Sequence, residues 1–214
     1  MRVLKLKAGK DLKEYKLPTS WDEVNIEQYS KLMLSIEKED ISEIELMIKS
    51  LEALADIPGG LLTKAPIKML REAYNQLEEL TSTMPNNELS RVIEIDGIEY
   101  GYIPDFDELS LGEFVDLDNY LQNSWNNLYK IFAVLYRPVI KRDGERYTIE
   151  EYSVKDINKR RELFKKRLSM DTIYGGLVFF YHIGMTAIES MLSSLEEEKL
   201  SQSIIKSSQI KEIA

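Results

Sequence analysis

Among the 214 residues of this chain, few side chains are equipped for chemistry, and they are unevenly placed. Cysteine is absent and His182 is the single histidine, which excludes disulfides, thiolate zinc sites, iron–sulfur clusters, thiol nucleophiles and multi-histidine metal centres. A Ser-His-Asp triad would have to be built on that one ring. The densest carboxylate group is Asp105, Asp107 and Glu108, which could hold a hard cation or act as an acid/base pair. Its spacing fits a calcium loop poorly. Counted from Asp105, the fifth position should offer an oxygen and the sixth a glycine, and these are Leu109 and Ser110. An acidic turn leading into a helix explains the same residues, because carboxylates are favoured at a helix N-terminus. His182 lies beside Tyr181 with no acid within a helical turn, which favours a satisfied interior histidine over a proton carrier. No phosphate-binding lysine loop, dinucleotide fingerprint or Gly-x-Ser-x-Gly elbow occurs, and close helix packing accounts for Gly175-Gly176. No cofactor and no metal is expected.

Charge is the stronger signal. The chain carries a formal charge of −9 with a pI near 4.9, which argues against duplex DNA as a partner because phosphate neutralisation needs a basic face. The average conceals a polarised chain. Residues 88–118 hold ten acids, among them Asp105, Asp107, Glu108, Glu113, Asp116 and Asp118, against the single base Arg91. Residues 155–167 hold seven bases, including Lys159, Arg160, Arg161, Lys165, Lys166 and Arg167, against Asp156 and Glu162. Residues 1–16 add six bases against two acids. Two basic blocks therefore flank an acidic one, and both kinds are candidate partner-binding surfaces.

These residues must be positioned by a mainly helical frame. Residues 3–17 alternate and read as one strand closed by Pro18. Asn25-Ile26-Glu27-Gln28 is a capping box, so a helix is expected to start at Asn25, with Ile26, Tyr29, Leu32, Met33 and Ile36 on one face. A second helix opens at Asp40 or Ser42 and stops at Pro58-Gly59-Gly60, and a third runs from about Pro66 to Leu80. Asp96-Gly97 and Asp143-Gly144 each centre a hairpin, and the two share the frame Val-Ile-x-x-Asp-Gly-x-x-Tyr, 47 residues apart. That frame fits either a duplicated hairpin-helix unit or a coincidence of hairpin grammar. Between the hairpins lie helices from about Leu111 to Leu121 and from Trp125 to Tyr136, the second stopped by Pro138. The basic run forms a helix after Ser153, and Ser169 caps an apolar one whose uncharged stretch, 172–188, is read as buried rather than membrane-spanning. The expectation is a predominantly helical α+β fold, a bundle with an N-terminal strand and two short hairpins. It divides into 1–85, 86–194 and a polar tail, 195–214.

Several stretches resemble mainly helical proteins from the virion and tail gene clusters of tailed phages that infect Bacteroides-type bacteria, including the crAss-like phages. The likeness rests on Leu17-Pro18-Thr19-Ser20-Trp21-Asp22-Glu23-Val24 with Glu27-Gln28, on 109–117, on Leu135-Tyr136-Arg137-Pro138, and on 175–180. The resemblance implies tail-tube or ring components, cargo carried in the tail, or assembly chaperones, and it carries over no catalytic residue. The expectation is a non-enzymatic virion-associated protein, made in the host cytoplasm since no secretory signal is visible, and bound in several copies to itself or to other tail proteins. The acidic 88–118 region of one copy meeting the basic 155–167 region of the next would give a heterologous contact, unless the two blocks pair within one chain. The alternatives are a cytoplasmic tail-assembly chaperone absent from the finished particle and an enzyme using the Asp105 to Glu108 carboxylates. Membrane contact is not favoured.

Overall fold

In a computed structural model the described residues are 2–8, 11–37, 40–122 and 124–183. The predominantly helical α+β architecture is as the periodicity predicts. The expected tail, and the apolar stretch beyond residue 183, lie outside them.

Residues 3–17 are two strands, not one. Strand β1 (Arg2–Ala8) pairs antiparallel with β2 (Asp11–Leu17), with Leu4 opposite Tyr15 and Arg2 opposite Leu17. The phase of the pattern shows why: the inward residues are even-numbered in β1 (Leu4, Leu6) and odd-numbered in β2 (Tyr15, Leu17). A single strand would have kept one phase.

Helix α1 (Ile26–Ile36) starts where its capping box requires: Asn25 Oδ1 accepts from Gln28 N at 2.9 Å and Gln28 Oε1 from Asn25 N at 3.0 Å. Ser42 caps α2 (Glu43–Leu54), whose end precedes Pro58. The Pro58-Gly59-Gly60 stretch then opens a further helical turn, α3 (Gly59–Leu62), because proline suits the position ahead of a first turn. Helix α4 (Ile67–Thr81) follows.

The second half is built on an antiparallel sheet in the order β3-β4-β5-β6. Strands β3 (Val92–Ile95) and β4 (Ile98–Tyr102) form the first hairpin, with Asp96 and Gly97 both at positive φ, as a type I′ turn needs. Strands β5 (Tyr136–Asp143) and β6 (Arg146–Ile149) form the second, but here Asp143 pairs with Arg146 and only Gly144 has positive φ. The shared sequence frame thus supports two different turns: Tyr100 faces Ile93, whereas Tyr147 faces Arg142 after a bulge between Val139 and Lys141. Hairpin grammar explains the repeat.

Between β4 and β5 run α5 (Leu111–Leu121) and α6 (Ser124–Leu135). Helix α6 passes straight into β5. Pro138, expected as the stop of the helix, lies inside the strand, and it still sets the boundary because the residue before a proline avoids helical dihedrals. Helix α7 (Val154–Arg167) packs on α6, and α8 (170–183) begins at Ser169, whose Oγ accepts from Thr172 N at 3.4 Å. No helix among the described residues is long and apolar enough to cross a membrane.

One buried cluster runs from Leu4 to Ile173, so the portions on either side of residue 85 share a core. They are also stitched by backbone: Ile26 N donates to Leu168 O at 3.2 Å and Met170 N to Val24 O at 2.8 Å. At the centre of the sheet Tyr102 meets Tyr136 edge-on with centroids 5.0 Å apart, and Phe179 at 5.8 Å. Its hydroxyl donates to Gly176 O at 3.0 Å, and that of Tyr136 donates to Ser90 O at 2.5 Å. Gly176 makes this approach possible, since a Cβ there would lie 2.7 Å from the Phe132 ring and 3.5 Å from that of Tyr102, and a Cβ on the neighbouring Gly175 would lie 2.1 Å from Glu88 O. That obstacle is backbone and cannot turn aside.

Gly175→Ala is expected to lower stability by about 2 kcal/mol in urea unfolding, whereas Gly60→Ala, with open space around its Cβ, should leave it unchanged or raise it by up to about 1 kcal/mol. Burial holds the phenols of Tyr102 and Tyr136 well above their ordinary pKa of 10.0. An unfolded phenol ionises near pH 10 while these two resist, so their contribution to stability is complete below that pH and is lost as the pH climbs past it. Absorbance at 295 nm should show Tyr102 and Tyr136 among the tyrosines that ionise only as the fold opens.

Candidate functional site

The charged side chains named from the sequence divide into an interior set and an exterior set. Glu113 and Arg160, expected on outer surfaces, are both inside, with 4% and 5% of their surface exposed. The reason in each case is a helix end that needs a partner.

Ser110 caps α5. Glu113 Oε2 accepts from Ser110 N at 2.8 Å and from Ser110 Oγ at 2.6 Å, and Glu113 N donates back to Ser110 Oγ at 3.3 Å. The other carboxylate oxygen of Glu113 lies 2.8 Å from Nη2 of Arg137, which β5 presents opposite Gly101. Glycine is needed there because Tyr147 and Ile149 fold over the strand, and a Cβ at 101 would come within 2.5 Å of the Tyr147 ring. Burial lowers the pKa of Arg137 from its ordinary guanidinium value, and Glu113 and then Glu150 oppose the shift.

Arg160 serves the end of α6. Its Nε and Nη2 each lie 3.4 Å from Ala133 O, a last-turn carbonyl with no partner in its own helix, and its Nη1 donates to Glu150 at 3.1 Å. Burial again lowers its pKa, with Glu150 acting to raise it. Asp116 accepts from the Tyr152 hydroxyl at 2.5 Å. Four of the charged groups able to act as acids, bases or anion clamps are therefore joined in structural pairs: Glu113 with Arg137, and Glu150 with Arg160.

Beside them lies a cleft of about 760 Å³ walled by the start of α5 and by residues 147–152. Its carboxylates are Asp105, Glu108, Glu113, Glu150 and Glu151, against Arg137 alone. Asp105 is spent locally, accepting from Asp107 N at 2.9 Å. No three His, Cys, Asp or Glu side chains converge well enough to hold a metal ion among the described residues. His182 is exposed on α8, not interior as expected, and it makes contacts there.

No family model, curated protein or solved structure matches this chain. What the site can do is therefore read from its own geometry.

Four of the seven bases of the basic run, Arg160 among them, are matched within the chain. Lys159 pairs with Asp156 at 3.2 Å, Lys165 with Glu27 at 3.6 Å and Arg167 with Asp96 at 3.5 Å, the last joining the basic block to the acidic one. Arg161 is half-buried and Lys166 exposed. The acidic block keeps a different outward feature. On α5 only Glu113 and Leu117 are buried, while Leu111 and Phe114 are 79% and 61% exposed, and Val115 and Leu121 share their face. Helical spacing places Asp118 in the middle of that face, four residues after Phe114, three after Val115 and three before Leu121. Read as a block of charge, this segment conceals its apolar side. The available signal was apolar residues on more of the helix circumference than one buried face requires.

Neither Arg137 Nε nor Glu113 Oε1 has a hydrogen-bond partner among the described residues, so the 2.8 Å Glu113–Arg137 contact is an ion pair without an aligned hydrogen bond and not a two-pronged fork. Glu113→Gln, which keeps the cap, and Arg137→Met should each cost about 3–5 kcal/mol by stranding a buried charge. The double variant should recover much of that loss in a urea-unfolding cycle, because the pair is removed together.

Proposed function

We propose that this is a non-enzymatic, virion-associated protein of a tailed phage that acts through protein–protein contact and is present in several copies. The observation that carries the reading is the α5 face, where Leu111, Phe114, Val115 and Leu121 stand exposed around Asp118. Single exposed apolar residues are ordinary, but a contiguous stripe along one helix marks an interaction surface. A carboxylate at its centre adds selectivity, since a like-charged partner would bury an unpaired acid there. The internal use of Glu113, Arg137, Glu150 and Arg160 supports the same reading, because these groups build the scaffold that presents α5. The place in a phage tail rests on the likeness of 17–24 with Glu27-Gln28, 109–117, 135–138 and 175–180 to tail-cluster proteins. One of those stretches, 109–117, is the first half of the exposed face itself.

Light scattering on the purified chain should show a discrete oligomer at about 0.05 M salt that loosens near 1 M, where charges are screened within about 3 Å. Mass spectrometry of purified particles of the encoding phage should find the chain in multiple copies. A monomer at both salts, missing from particles, would instead fit a cytoplasmic assembly chaperone.

A further inference from the structure

A second surface has the chemistry opposite to that of the α5 face. Between the β1–β2 hairpin and the turn joining α3 to α4 lies a groove of about 580 Å³. Leu12, Leu61 and Met69 give it an apolar lining, and Lys5, Lys7 and Lys64 stand around it. Lys5 is paired with Glu14 at 2.6 Å, whereas Lys7 and Lys64 form no ion pair among the described residues. Leu12, opposite Lys7 in the hairpin, is 59% exposed, so the groove shows apolar surface and unmatched positive charge side by side.

We propose that the α5 face of one copy seats in this lysine-flanked groove of the next, a head-to-tail contact in which Leu111 and Phe114 cover Leu12 and Met69 while Asp118 meets Lys7 or Lys64. The inference rests on the multi-copy reading above and names the contact that would make it. Three observations select this occupant. The two surfaces match in kind, each apolar with charge inside or beside it, and the charges are of opposite sign. Two α5 faces packed on each other would bring one Asp118 against the other, so symmetrical self-pairing is disfavoured. The other basic block is a poorer partner, because four of its seven bases, Lys159, Arg160, Lys165 and Arg167, are already matched within their own chain, leaving Lys155, Lys166 and the half-buried Arg161. Since the contact joins two different patches, it propagates from copy to copy and either closes into a ring or continues as a filament.

The test uses two double variants of the full chain, Leu111→Ser with Phe114→Ser on the face and Lys7→Glu with Lys64→Glu at the groove. Because Leu111 and Phe114 are exposed and both lysines lie at the surface, circular dichroism and urea midpoints should stay at the parent values. Each variant alone should lose self-association by about thirtyfold or more, the effect of losing a central contact residue, and scatter as a monomer. Mixed together, they should form a 1:1 dimer and stop, since the face variant keeps an intact groove and the groove variant an intact face. If the parent chain oligomerises and both variants do so equally well, the contact is wrong and the multi-copy reading survives. A loss confined to the face variant also overturns the pairing, because α5 then meets some other surface. If the parent chain is monomeric at every concentration and salt, the multi-copy reading falls and takes the contact with it.

Discussion

The arrangement of the second half of this protein depends on how one helix ends. Helix α6 runs into β5 without a loop, so its last-turn carbonyls have neither a next helical turn nor solvent to satisfy them. Two distant donors do so instead. The Arg160 guanidinium covers Ala133 O, and Ile103 N, just past the end of β4, donates to Leu135 O at 2.9 Å. The first bond fixes α7 against α6, and the second fixes the β4–β5 register that puts Tyr102 opposite Tyr136 and Gly101 opposite Arg137. Glu150 compensates the charge brought inside and ties the end of β6 to the same point. A lysine could not substitute, having a single nitrogen where Arg160 reaches a carbonyl and a carboxylate in different directions.

The scaffold that results is asymmetric in its use of charge. Inside, Glu113 pairs with Arg137 and Arg160 with the partly exposed Glu150, and Glu113 and Arg160 each serve a helix end. Outside, the acids of residues 105–118 surround a helix whose apolar residues face outward, and lysines gather near the β1–β2 hairpin. An interior charge that fixes geometry and an exterior charge that chooses a partner obey different physics. The first is strong and costly to break, and the second is weak, screened by salt and effective mainly through exclusion of wrong partners.

Local grammar was legible in the sequence, and long-range commitments were not. Asn25 with Gln28 and Ser110 with Glu113 announced their helices because a cap is settled within four residues, and Asp96-Gly97 announced its turn for the same reason. The division of 3–17 into β1 and β2 is written only in the change of phase between Leu6 and Tyr15, which local alternation on each side conceals. Nothing local in Asp143-Gly144 says that its hairpin will bulge and shift register. Of the site, the polarised charge could be read directly, but not its depth: Glu113 and Arg160 look like their exposed neighbours until Arg137 and Ala133 O are placed beside them. The outward face of α5 is hidden among the acids that surround it, while Leu117 and the carboxylate of Glu113 occupy the inward side.

The excursion of α5 and α6 between β4 and β5 also bears on how the chain finds its structure. Each hairpin closes over a two-residue turn and can form early at little entropic cost, but neither alone is a stable sheet. The strand pair that unites them joins Tyr102 to Tyr136 and must wait until the intervening helices have returned the chain to the place it left. Sheet completion and helix docking are therefore one event. An interrupted α6 would leave two unpaired strand edges, on β4 and on β5, exposed together in a nascent or partly unfolded chain, which is the condition under which chains pair with the wrong neighbour.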